Sequence, residues 1–146
     1  MNRTQIRDQV FKLVFSEQFH EEEEISEQMK LLLEEGITIP DKDDDEDADD
    51  KLHMSGKDSK LISAKAEEII RRLPEIDEGL SRISSGWKVS RMNKVDLAIL
   101  RLAFYEIKYE ELEPKIAINE AVELAKRYGT DQSGSFVNGV LAKLVN

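Results

Sequence analysis

An all-α fold is predicted, a compact helical bundle of six to seven helices. Three observations predict it. Apolar residues recur at helical spacing through most of the 146 residues. No sustained period-two alternation occurs, and no Asn-Gly or Asp-Gly turn joins strand-like runs. Ile37-Thr38-Ile39-Pro40, the one alternating scrap, is too short to build a sheet.

The first helix is expected over about Thr4–Glu17, with Ile6, Val10, Leu13 and Val14 as its stripe, widened by Phe11 and Phe15. Arg3 and Arg7 stand four apart and so share a face. A second helix is expected over about Glu21–Glu34. Four glutamates open it, where the helix dipole is positive, and Gly36 ends it. Residues 36–57 read as an acidic flexible loop inserted in a single domain spanning 1–146. Asp41–Asp50 alone carries a charge of −7. That run lacks the spaced ligands, central Gly and final Glu of a calcium loop.

From Ile62 the apolar positions run 62, 66, 69, 73, 76, 80, 83 and 87 without losing phase at Pro74. One kinked helix or two nearly collinear helices would give this pattern. Ser90 is the expected cap of the next helix. In that helix Val95, Ile99 and Leu102 form one stripe, and Leu97, Leu100, Phe104 and Ile107 another. Two stripes cover most of the circumference, so this helix should be central, with Pro114 ending it. Ile118, Ala121, Val122 and Ala125 define the helix after it, stopped by Gly129. The last helix, capped by Ser133 or Ser135, buries Phe136, Val137, Val140, Leu141 and Leu144. Gly139 interrupts it at a cost of about 1 kcal/mol relative to alanine.

Charge and composition exclude several functions. The net charge of −10 comes mostly from the acidic run; the rest of the chain is −3, and its first twelve residues are +2. With no cysteine, disulfides, thiolate chemistry and Cys-type zinc sites are excluded. His20 and His53 are the only imidazoles, so no metal site and no cofactor are expected. No secretory signal opens the sequence, and no apolar run nears the roughly 20 residues of a membrane span. Phosphate-binding and hydrolase motifs are missing, and nothing pairs a nucleophile with a base. The chain reads as a non-enzyme. Glu106, on the central helix, reads as a glutamate bonded to Arg, Lys or a helix end. Phe15 and Phe19 read as core. Lys126, Arg127 and Tyr128 read as a basic helix end with the ring in the core.

Several motifs, in order, carry a resemblance: R-x-x-x-R at Arg3 and Arg7, Trp87, VDLAILRLAFYEI (Val95–Ile107), INEAVELAKRYG (Ile118–Gly129) and FVNGVL (Phe136–Leu141). The chain resembles the transcription antitermination factor NusB family over residues 87–146 most closely, then over 1–35 and 58–86. Residues 36–57 match nothing in it.

The resemblance implies an all-helical, non-catalytic, cytoplasmic protein. It would bind boxA RNA of rRNA operons together with NusE, a small-subunit ribosomal protein, and join the transcription elongation complex. Arg3, Thr4, Gln5 and Arg7 would meet the RNA, with Thr4 and Gln5 at positions open to arginine in relatives. Asp131, Gln132 and Ser133 would lie near RNA and partner. The face carrying Asp96 would receive NusE, and Phe136 would be shared between core and partner surface. Within FVNGVL, Asn138 is expected buried and Gly139 is expected where backbones approach closely.

The arginine cluster is thin, so the phosphate contribution to RNA binding should be small. A second reading is a protein-only helical adaptor or homodimer on the same fold. A third, the helical N-terminal domain of an rRNA methyltransferase, lacks the methyl-donor domain that should follow.

Overall fold

A computed structural model describes residues 1–19, 56–84 and 88–145. The expected helix over 21–34, the acidic run, both histidines and Trp87 lie outside the described residues. Six α-helices and no strand are found among those described: α1 Arg3–Glu17, α2 Gly56–Arg71, α3 Leu73–Ile83, α4 Lys94–Lys108, α5 Pro114–Tyr128 and α6 Ser133–Leu144. A 3₁₀ turn, Val89–Arg91, precedes α4.

Helix α4 is the axis, as its two stripes predicted. Every residue from Asp96 to Glu106 is buried. Helices α1, α3, α5 and α6 all pack on it, while α1 also packs on α2 and α5 on α6. Val10, Phe11, Leu13 and Val14 of α1 meet Ile99, Leu100 and Leu102 of α4 in one core with Ile62, Ile69, Ile76, Leu80, Val137 and Leu141.

Chain breaks follow from local chemistry. Pro74 has no N–H and its ring would strike the carbonyl one turn back, so the helix interrupts at Arg72 and restarts with proline in its first turn. The Arg72 N–H reaches the carbonyls of both Glu68 and Ile69, and its own carbonyl accepts from Ile76 N–H at 2.9 Å. Helical bonding therefore continues past the break, and the apolar stripe keeps its phase: Ile62, Ala66, Ile69, Ile76 and Leu80 are all fully buried.

Four expected boundaries move. Gln132, not Ser133 or Ser135, stands at the N-cap of α6, and no side chain caps that helix. Asn93, not Ser90, caps α4, its Oδ1 accepting from the Val95 and Asp96 N–H groups at 2.8 and 3.5 Å. Ser90 sits in the 3₁₀ turn. Helix α4 ends at Lys108, before Pro114. There Glu111 takes a left-handed conformation (φ 54°), and the Leu112 N–H closes on the Glu106 carbonyl at 2.9 Å. Pro114 opens α5, where its missing N–H costs nothing. Helix α2 begins at Gly56, two residues inside the expected loop.

Candidate nucleic-acid and partner interface

The N-terminal residues expected on one RNA-facing surface divide between surface and interior. Asn2 and Gln5 form a reciprocal capping box: Gln5 N–H donates to Asn2 Oδ1 (2.8 Å) and Asn2 N–H to Gln5 Oε1 (3.0 Å). The Gln5 side chain is thus engaged in starting α1. Arg3 is exposed and has no ion pair among the described residues. Thr4 is exposed, its hydroxyl 3.4 Å from Glu120 Oε1.

Arg7 does not share the outward face of Arg3. It is 8% exposed and holds the Glu106 carboxylate through Nε (3.1 and 2.9 Å) and Nη2 (2.9 Å). Its Nη1 lies 3.4 Å from Glu120. Burial pulls the Arg7 pKa down, but bonding and attraction to Glu106, with help from Glu120 and Glu110, outweigh it, and the pKa is raised. Lys65 of α2 completes the cluster at 3.1 Å from Glu106 and 2.9 Å from Glu110. One buried carboxylate therefore ties α1, α2 and α4 together. The expectation for Glu106 agrees with this geometry. The expectation of Arg7 as a phosphate grip does not, because its donors are already committed to carboxylates.

At the other end of the surface, Asp131 and Gln132 are exposed in the turn between α5 and α6. Ser133 is only 1% exposed. Its Oγ accepts from Thr130 N–H at 2.9 Å, and its hydroxyl donates to Asp96. A side chain at Gly129 would collide with Ser133, so glycine is required there for this turn to close. Asp96 is 7% exposed, and its Oδ1 has no hydrogen-bond partner. Burial pushes the Asp96 pKa up, partly offset by the Ser133 hydrogen bond. Ser133 thus joins the residues expected near RNA to the one expected near the partner. Phe136, one turn further along α6, is half-buried against the core.

Two grooves run over α5 between these ends. One, of about 460 Å³, is lined by Thr4, Arg7, Asp8, Glu120, Lys126 and Arg127, among others. The second, of about 800 Å³, lies between α5 and α6 and includes Asn119, Glu123, Lys126, Thr130, Asp131 and Asn138. Glu120, Glu123 and Lys126 belong to both, so the surface is continuous. Its charge is mixed, which suits polar contacts to bases and sugars more than dense phosphate neutralisation.

Two further corrections concern α6. Asn138 is exposed, not buried. Gly139 is exposed as well, and a Cβ built there meets nothing within 4 Å. Among the described residues, the glycine answers to no close packing.

An aromatic series was not foreseen. Tyr128 stacks on Phe11 with centroids 5.1 Å apart, Phe11 on Phe15 at 6.1 Å, and Phe15 meets Phe19 edge-on at 5.2 Å. Tyr128 O–H donates to Asp8 at 2.7 Å, and Asp8 also holds Lys12 at 3.2 Å. Phe19 is 56% exposed and so is not core. The i, i+4 spacing of Phe11, Phe15 and Phe19 is the signal that could have revealed it.

Comparison with known proteins gives concordant results. The model of the NusB family matches residues 4–146. The chain is 48% identical to the transcription antitermination protein NusB of Agathobacter rectalis, with 98% of each chain covered. It is 42% identical to that of Lachnoclostridium phytofermentans, with both chains covered completely. Among solved structures it superposes on T. maritima NusB with a TM-score of 0.78 and 31% identity, covering 99% of this chain and 90% of that one. A chain from the crystal structure of a plectonemic RNA supercoil shares the fold, with a TM-score of 0.72 at 21% identity, covering 98% of this chain and 93% of that one. With its six described helices around a buried α4, this chain belongs to the NusB family of transcription antitermination proteins.

Proposed function

We propose that this protein binds single-stranded boxA RNA of rRNA operons together with NusE and promotes elongation of rRNA transcripts. The observation that carries the reading is the continuous surface over α5, with Thr4 at one end and Asp131 at the other; Arg3 and Gln132, next to them in sequence, are exposed. Arg7 supports this surface from beneath, through Glu106 and Glu120. NusE docks beside the start of α6, which carries Ser133 and Phe136 and packs on the helix of Asp96. Few exposed cations line the surface, so the chain alone binds RNA weakly. A bound NusE raises the effective concentration of a second set of contacts. Single-stranded RNA suits the site because splayed bases present edges and faces to polar and aromatic side chains.

Fluorescence anisotropy of a labelled boxA-like RNA, with and without cognate NusE at two salt concentrations, tests this. Tight, salt-sensitive binding that needs NusE is expected. A NusE complex that leaves the RNA free would support the second reading, a protein-only adaptor. The internal commitment of Arg7, Gln5 and Ser133 favours that alternative.

A further inference from the structure

Glu120 is an oriented carboxylate on the surface read above as receiving RNA. It lines both grooves over α5. Ala117, Ala121 and Leu124 beside it on that helix are buried, so Glu120 stands at the margin of the core, its side chain 27% exposed. Two donors from α1 orient it. Thr4 Oγ1 lies 3.4 Å from Oε1, and Arg7 Nη1 lies 3.4 Å from Oε2. Both contacts are long. Arg7 gives its shorter ones, 2.9 to 3.1 Å, to Glu106. A carboxylate offers about four lone-pair sites. Among the described residues, those of Glu120 are aimed but not filled. Glu123, three residues on, differs: its carboxylate meets only Lys126 of its own helix, at 3.7 Å, among the described residues.

A carboxylate in the path of a nucleic acid repels phosphates and accepts from base N–H groups. Guanine presents two adjacent donors, N1–H and N2–H, on its Watson–Crick edge, spaced to meet two carboxylate oxygens. Adenine and cytosine set an acceptor nitrogen beside the amine, and uracil flanks N3–H with two carbonyls. Each of those would turn an acceptor against Glu120. We propose that Glu120 is a specificity-determining residue that accepts N1–H and N2–H from one splayed guanine, with Thr4 and Arg7 positioning its carboxylate. The inference rests on the RNA-binding reading above and deepens it, naming the base that this end of the surface selects. It also gives the inward-facing Arg7 a part in reading RNA without touching it.

The test is RNA anisotropy with cognate NusE present, comparing wild type and Glu120→Gln. The probes are a guanine-containing boxA-like single strand and strands in which each guanine in turn is replaced by inosine, which lacks the N2 amino group. For wild type, inosine at one position should weaken binding by about fivefold or more. For Glu120→Gln, guanine and inosine at that position should bind within about twofold of each other, because an amide offers one acceptor oxygen and not two. The log-log salt slope should stay that of wild type, since no phosphate contact is removed. If wild type binds the RNA but tolerates inosine at every position, this inference fails and the RNA reading stands. If Glu120→Gln weakens the guanine and inosine strands alike, Glu120 only supports the fold and the inference fails. If the variant loses NusE affinity while the discrimination persists, Glu120 is a protein contact and the inference fails. If wild type with NusE binds no RNA, both readings fall together.

Discussion

Arg7 is the residue at which a sequence pattern and its physical use diverge most. R-x-x-x-R suggests two cations on one helix face, but one of them is a buried ion partner of Glu106. Arg7→Ala leaves that carboxylate with Lys65 alone, so destabilisation of about 3 kcal/mol is expected. For a chain of this length that is roughly 6–12 °C in thermal midpoint, read by circular dichroism. Pairing it with Glu106→Gln should recover part of the loss, since no unpaired charge then remains. Asp96 makes the opposite case. Its folded pKa is raised by burial. As pH rises above about 3.9 the unfolded chain ionises this group first. The fold therefore loses stability until pH passes the raised folded value, and the loss stays constant beyond it. Asp96→Asn should melt higher than wild type at pH 7, with the gap closing below about pH 3.9. If Asp96 receives NusE, the same variant should bind NusE less well, a stability gain set against function.

At the scale of elements, the helices were legible because apolar spacing reports burial directly. The double stripe of α4 announced a helix packed on every side, and the unbroken phase across Pro74 announced two helices sharing one buried line. Boundaries were less legible. Asn93 and Ser90 are both good caps, and only tertiary packing selected Asn93 while Val89–Arg91 closed a 3₁₀ turn. Exposure within α6 was misread because Asn138 and Gly139 lie between Val137 and Val140, and a short apolar motif does not show which of its members face out. Two glycines separate the cases. Gly139→Ala meets open space in a helix interior and should stabilise by about 1 kcal/mol. Gly79→Ala would drive a methyl into the buried Phe104 ring and should cost about 1–3 kcal/mol despite its better helix propensity. Thermal melts of the two variants should therefore move in opposite directions. A destabilising Gly139→Ala would contradict the open face assigned to α6.

For the whole molecule, the order of motifs placed the chain in its family, and the packing explains why those motifs stand together. VDLAILRLAFYEI is the axis, INEAVELAKRYG covers it with its outer face turned to solvent, and FVNGVL packs beside it on the same axis. The exposure of the candidate interface residues was half legible. Arg3, Thr4, Asp131 and Gln132 lie outward, as expected of contact residues. Gln5, Arg7 and Ser133 are spent on a cap, an ion cluster and a turn. A linear pattern does not distinguish a donor aimed at solvent from one aimed at a carboxylate about a hundred residues away, and that distance in sequence is why Arg7 was misplaced. The aromatic series was missed for the same reason, since it depends on which side chains the fold brings alongside α1.

The most direct test of the shared surface over α5 is an NMR titration of isotope-labelled protein, bound to cognate NusE, with boxA-like single-stranded RNA. Amide shifts should concentrate at Arg3, Thr4, Lys126, Asp131 and Gln132, while the core amides around Ile99 and Leu100 stay still. Shifts confined to the exposed face of α3, with the α5 surface silent, would contradict it.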